Sequence, residues 1–169
     1  EKIGCGGMGA VFLALDSEKG QRVALKTLPE QFLDNKYAVS RFIREINTLR
    51  MLDHPGIVKL RDAQMANNTL FYVMEYVEGK SLRHLLQVRK RFEFPTTVRL
   101  LCLVADALSH AHKITIHRDL SPENIMVLRD GSIRLLDFGL AKLADKFKDL
   151  TATGINLGKL QYMAPEQKR

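Results

Sequence analysis

The chain has 169 residues, 46% of them hydrophobic, and its 26 Lys+Arg against 19 Asp+Glu give a formal net charge of +7. Such a length and apolar content suit one globular unit, and the chain has no internal repeat or low-complexity tract. Two cysteines, Cys5 and Cys102, cannot build a disulfide framework and point to a reducing compartment, while the absence of a secretory signal or of a run of about 18 uncharged apolar residues argues against export or a membrane span in this segment. The positive charge allows attraction to nucleotides, acidic peptides or nucleic acid. Its densest cluster, Arg83, His84, Arg89, Lys90 and Arg91, lacks interleaved aromatic residues, so a solvated helix face is expected there and no nucleic-acid platform.

In chain order, Ile3 to Val11 reads as a strand broken by glycines. Val11 to Leu15 and Arg22 to Leu28 read as two more strands around a Ser17 to Gly20 turn. Tyr37 to Leu52 carries Phe42, Ile46 and Leu49 at spacings of four and three, which is one stripe of a helix. His54-Pro55-Gly56 ends it. Ile57 to Gln64 and Thr69 to Tyr76 form a hairpin bridged by Asn67-Asn68, completing five strands and one helix. Beyond Gly79, Ser81 can cap a helix running to about Val88, and Pro95 can open a longer one ending near His112, with Val98, Leu101, Val104, Ala105 and Leu108 as its expected buried face. Ile125 to Leu128 and Ile133 to Leu136, joined through Asp130-Gly131, form a small hairpin.

Three segments carry chemistry. Gly4, Gly6 and Gly9 sit in a G-x-G-x-x-G-x-V run, where missing Cβ atoms let backbone N–H groups approach phosphate oxygens. A strand follows this run, whereas a dinucleotide-binding turn leads into a helix, and the Lys-Ser/Thr ending of a P-loop is missing. Lys26 stands among apolar strand residues in VALK and needs a partner to offset desolvation. Glu45, on the helix expected to pack over that strand, is the partner expected. Asp119, Asn124 and Asp137, inside HRDLSPEN and LLDFG, supply a base to orient a hydroxyl and oxygen ligands for magnesium.

Taken in order, from the glycine turn to Ala164-Pro165-Glu166, these motifs resemble those of the protein kinases. The resemblance implies an α+β fold of two lobes. Residues 1–78 would be a five-stranded antiparallel sheet with one helix, and residues 79–169 an incomplete, mainly helical lobe truncated at its C-terminal end. It also implies ATP and Mg2+ as cofactors, and transfer of the γ-phosphoryl group to serine or threonine of a protein substrate. Self-association for autophosphorylation is an expected partner interaction, and a cytosolic location an expected setting. Asp119 would act as base, Lys26 and Glu45 would align the α- and β-phosphates, and Asn124 and Asp137 would bind metal. Met74 would stand behind the adenine, Glu75 and Val77 would meet it through their main chain, and Val11, Ala24 and Met126 would enclose it. Arg118 would receive a phosphate placed on Thr151 or Thr153 of the activation segment.

One departure from the family pattern stands out. The lysine usual two residues after the catalytic Asp is Ser121, and a threonine usual before the APE region is Lys159. A reciprocal exchange is the reading adopted, with Lys159 supplying positive charge and Ser121 a hydrogen bond to Asp119. The alternatives are a nucleotide-binding pseudokinase with little transfer activity and a small-molecule phosphotransferase of the same fold.

Overall fold

The computed structural model describes residues 1–6, 9–138 and 161–167. Strands β1 (Lys2–Gly6), β2 (Gly9–Asp16) and β3 (Gln21–Leu28) form a meander, and β4 (Leu60–Ala66) and β5 (Thr69–Glu75) form a hairpin. The five make one antiparallel sheet in the order β1-β2-β3-β5-β4. Asn67 and Asn68, at φ 49° and 53°, turn the hairpin in the left-handed region that asparagine tolerates better than most residues.

Helix α1 (Lys36–Met51) lies between β3 and β4 in the chain, and the Asn35 side chain caps it by accepting from the Tyr37 and Ala38 N–H groups. Phe42, Ile46 and Leu49 are buried as their spacing predicts. The Phe42 and Tyr72 rings meet with centroids 5.3 Å apart, which seats the helix on the sheet. Each such side chain contributes roughly 1.5–3 kcal/mol of burial, so Phe42→Ala would remove about 3–5 kcal/mol once the cavity is counted.

After the first sheet the chain forms β6 (Gly79–Ser81), α2 (Leu82–Arg89) and α3 (Phe94–Ala111). Strands β7 (Ile125–Leu128) and β8 (Ile133–Leu135) follow. Ser81 caps α2 through its side chain, which accepts from the His84 N–H. A second sheet, ordered β6-β7-β8, joins the hairpin to the segment leaving the first. A Cβ on Gly79 would lie 2.5 Å from the Val127 carbonyl oxygen, so only glycine lets β6 approach β7 this closely.

Three expectations are corrected. Ile57 does not begin β4. It bridges to Leu135, with the Val58 N–H donating to the Leu135 carbonyl at 3.0 Å and the Leu135 N–H to the Gly56 carbonyl at 2.8 Å, so the segment before β4 is tied by an isolated bridge to the edge of the second sheet. Helix α3 buries Leu100, Val104, Ala107 and Ala111, whereas Val98 and Leu101 are 42% and 62% exposed and Ala105 is exposed too. The helix is apolar on more than one face, so periodicity alone could not select the buried one. Arg83 does not belong to a solvated cluster, because it is half-buried and paired with Glu123.

Candidate active site

Strand register assembles the first half of the site. Val11 lies opposite Lys26 on β2 and β3, and Ala24 and Lys26 lie opposite Met74 and Tyr72 on β3 and β5. Directly opposed residues share a face and alternate residues return to it, so all five project from the same side of the sheet. Lys26 Nζ donates to Glu45 Oε1 at 2.9 Å and to Asp137 Oδ1 at 2.8 Å. Glu45 Oε1 also accepts from the Tyr72 hydroxyl at 2.9 Å.

This arrangement decides the charge on Lys26. Burial opposes the ammonium, but the charges of Asp137 and Glu45, with the hydrogen bond to Asp137, outweigh it and hold the group well above its ordinary pKa. Burial pushes the Tyr72 phenol up as well, against the lowering effect of Lys26, so the phenol stays protonated and able to donate.

The second half is the loop between α3 and β7. Asn124 is buried, and its Nδ2 donates to the Asp119 carbonyl at 2.7 Å and to Asp119 Oδ2 at 3.2 Å. Its main-chain carbonyl accepts from the Leu136 N–H at 2.9 Å, tying this loop to the one that carries Asp137. His117 is buried beneath both. Its Nε2 lies 3.0 Å from the Leu136 carbonyl and its ring centroid 4.7 Å from that of Phe138. A carbonyl only accepts, so Nε2 carries the proton. Burial, partly offset by that hydrogen bond, lowers the pKa of His117 and keeps it neutral.

Among the described non-glycine residues with positive φ, Asn67, Asn68 and Lys90 lie in a turn or at a helix end. The other two, Arg118 at 61° and Asp137 at 47°, stand within this site. Left-handed backbone at such residues costs on the order of 1–3 kcal/mol and persists where surrounding contacts enforce it.

Gly9 is packed so closely that a Cβ there would lie 1.9 Å from the Thr27 carbonyl oxygen. At Gly4 a Cβ would meet Val11 at an ordinary 3.6 Å, so the fold itself does not demand glycine at that position. Gly6 pairs with Gly9 where β1 turns into β2. Glu75 directs its side chain toward the second sheet, with Oε1 accepting from Arg134 Nε at 3.2 Å and from the Lys59 N–H at 3.1 Å. Its own N–H donates to the Lys59 carbonyl at 2.9 Å, so a base contact by its main chain falls to the carbonyl. Val77 follows it outside the sheet, and Met126 is half-buried on β7.

The expected bond from Ser121 to Asp119 is absent. Ser121 is buried and its Oγ makes no well-formed hydrogen bond among the described residues, although it lies near enough to Glu123 to support that carboxylate's acidity. Asn124 occupies the position at Asp119 that was expected of Ser121. Lys159, Thr151 and Thr153 lie outside the described residues.

Sequence reasoning missed Tyr72, which reads as one more apolar strand residue, and the Arg83–Glu123 contact. There Arg83 Nε donates to Glu123 Oε1 at 2.7 Å, and its guanidinium lies 5.5 Å from the centre of the Tyr162 ring. Burial would raise the Glu123 pKa, but the hydrogen bond and charge of Arg83, together with hydrogen bonds from the Glu123 main chain and Ser121, outweigh it and hold the carboxyl below its ordinary value.

The protein kinase domain model matches residues 1–167. The chain belongs to the protein kinase domain family. It is 38% identical over 165 residues to a probable serine/threonine-protein kinase, pknA2, of Bifidobacterium longum, covering 95% of this chain and 22% of that protein. Identity is also 38%, over 171 residues, with the serine/threonine-protein kinase PknA of Mycobacterium tuberculosis, covering 98% and 39% respectively. With the serine/threonine-protein kinase pkn3 of Myxococcus xanthus it is 40% over 176 residues, covering 99% and 32%. The kinase chain thus spans between 22% and 39% of the lengths of these relatives. Among its described residues, no helix is long and apolar enough to cross a membrane.

Proposed function

We propose that the protein containing this segment transfers the γ-phosphoryl group of ATP to serine or threonine hydroxyls of protein substrates. The observation that carries this reading is Lys26 held between Glu45 and Asp137, on the same side of the sheet as Val11, Ala24 and Met74. Lys26 binds the α- and β-phosphates, and Glu45 keeps it aligned. Gly4, Gly6 and Gly9 bring backbone N–H groups toward the phosphates. Val11, Ala24, Met74 and Met126 enclose the adenine, with Glu75 and Val77 meeting its edge. Asp119 accepts and orients the acceptor hydroxyl. Positioning and electrostatics supply the rate.

The donor set fits magnesium. Asn124 spends its amide nitrogen on Asp119 and keeps its carbonyl oxygen, and Asp137 adds a carboxylate, both hard oxygen donors. No group of three or more His, Cys, Asp or Glu able to hold a metal occurs among the described residues, so Asn124 and Asp137 would share a cation with the nucleotide's phosphates. When bound, the ion neutralises phosphate charge.

The boundary between lobes is placed at residues 78 and 79. Arg118 is proposed to receive phosphate from Thr151 or Thr153, and Lys159 to bring positive charge toward Asp119. The need for ATP and the exposed free thiol of Cys102 support a cytosolic setting. Neither the geometry nor the relatives favour a pseudokinase.

The test is phosphate transfer by the full-length protein with magnesium and ATP, read by phosphoamino-acid content. Asp119→Asn should lower kcat by roughly 10²–10⁴ while leaving nucleotide affinity nearly unchanged. Undiminished transfer, or label on tyrosine alone, would overturn the assignment.

A further inference from the structure

A depression of about 790 Å³ lies between α2, the start of α3, the β7–β8 turn and residues 76–80. That is within the size range of ligand sites, and none of Lys26, Asp119, Asn124 and Asp137 lines it. Its apolar surface includes Leu85 on α2, Leu100 on α3 and Val127 and Leu128 on β7. Around it stand Arg22, Lys80, Arg89, Arg99 and Arg129, all exposed.

Charge is unbalanced here. Glu78 is the one acidic residue in the lining, and it already pairs with Arg22. Five cations against one carboxylate leave a net of four positive charges around an apolar floor. Nothing within the lining offsets the mutual repulsion of the other four, and a concave surface concentrates their field.

The place of this groove in the fold is also informative. Val127 lines it, whereas Met126, the preceding residue of β7, belongs to the proposed adenine site. Leu128 lines it as well, so the groove continues along β7 beyond the adenine site. Lys80 lies directly opposite Val127 in β6 and shares its face. Tyr76 and Glu78 line the groove, while Glu75 and Val77 are the proposed base contacts.

We propose that this groove docks an acidic segment of a protein acceptor, one in which glutamate or aspartate alternates with leucine or isoleucine. Carboxylates meet the arginine and lysine rim, and the aliphatic side chains cover Leu85, Leu100 and Val127. A nucleic acid is disfavoured because the two aromatic rings of the lining each carry a guanidinium on one face already, Arg22 at 5.3 Å from the Tyr76 centroid and Arg89 at 5.9 Å from that of Phe92. Base stacking requires open rings. Recruitment of an acceptor rests on the kinase reading above, but binding to the groove does not.

The experiment uses the full-length protein and a short fluorescein-labelled peptide of alternating glutamate and leucine, followed by anisotropy. A lysine-leucine peptide and a single-stranded oligonucleotide are the comparison probes. The glutamate peptide should bind and the lysine peptide should not. The double variant Arg99→Glu, Arg129→Glu should weaken binding about tenfold or more, at an unchanged melting temperature, and added salt should weaken it too. Fusing the acidic segment to a short acceptor peptide should lower KM, and the double variant should cancel that gain while keeping kcat on the unfused acceptor. Unchanged affinity in the double variant overturns the proposal. So does failure of the glutamate peptide to bind, as would occur if another part of the chain covers the groove, or tighter binding of the oligonucleotide. If no acceptor is phosphorylated, the kinase reading fails while the anisotropy result still decides the groove.

Discussion

Removing a single oxygen from Tyr72 tests whether the buried ion pair depends on a third group. In Tyr72→Phe the ring still packs against Phe42 and faces Lys26, whose Nζ lies 5.7 Å from the ring centre. Glu45 Oε1 keeps Lys26 but loses the hydroxyl that donated at 2.9 Å. A hydrogen bond to a charged acceptor contributes about 1.5–3 kcal/mol. At roughly 2–4 °C per kcal/mol for a domain of this size, the melting temperature of the full-length protein should fall by roughly 3–12 °C. Looser alignment of Lys26 should also weaken nucleotide binding by about 3–10-fold, or roughly 0.7–1.4 kcal/mol. Tyr76→Phe is the control, since no hydrogen bond links that hydroxyl to Glu45 and it should change neither quantity. A Tyr72→Phe protein that melts within about 1 °C of the parent and binds nucleotide equally would refute the idea that the hydroxyl positions Glu45.

Three further outcomes are expected. Gly9→Ala should lower stability by several kcal/mol, because its Cβ would lie 1.9 Å from the Thr27 carbonyl, whereas Gly4→Ala should fold normally and lose nucleotide affinity; urea melts and nucleotide titrations separate the two. Ser121→Ala should change stability by no more than about 1 kcal/mol, since the buried hydroxyl makes no well-formed bond among the described residues and gives Glu123 only weak support; a larger loss would reveal a bond to Asp119 after all. His117 is held neutral by burial, so the unfolded chain binds the proton more readily. Its stabilising contribution is present above the unfolded pKa of about 6.5 and is lost as pH falls toward the lower folded value, at no more than about 1.4 kcal/mol per pH unit. His117→Gln cannot titrate and should show a flatter melting profile below neutrality, while parallel profiles would exclude His117 as the source.

Locally encoded features were the legible ones. The Phe42, Ile46 and Leu49 stripe, the Asn67-Asn68 turn and the Ser81 cap each require only neighbouring residues, and all appear where expected. Strand β6 was not legible because Gly79–Ser81 becomes a strand only by pairing with β7, far along the chain. The buried face of α3 was hidden by apolar residues on its other side. In the site, the bond from Lys26 to Glu45 followed from one charge in an apolar strand needing one partner. Tyr72 gave no such signal, since its hydroxyl matters only because α1 brings Glu45 over it. The contacts from Arg83 to Glu123 and from Arg134 to Glu75 join residues 40 and 59 apart, with no local pattern to announce them.

The pairing of Ile57 and Val58 with Leu135 means that the main chain joins the first sheet to the second at two places, once through residues 76–78 and once just ahead of β4, beside the side-chain bonds from Lys26 to Asp137 and from Glu75 to Arg134. Like a door hung on two pins, the upper unit would turn most easily about the line that joins them. Any widening of the gap between Lys26 and Asp119 would therefore be a swing about the line joining those pins. Residues close to the two joints would move least. Access for a nucleotide and grip on its outermost phosphate would then be two ends of the same motion.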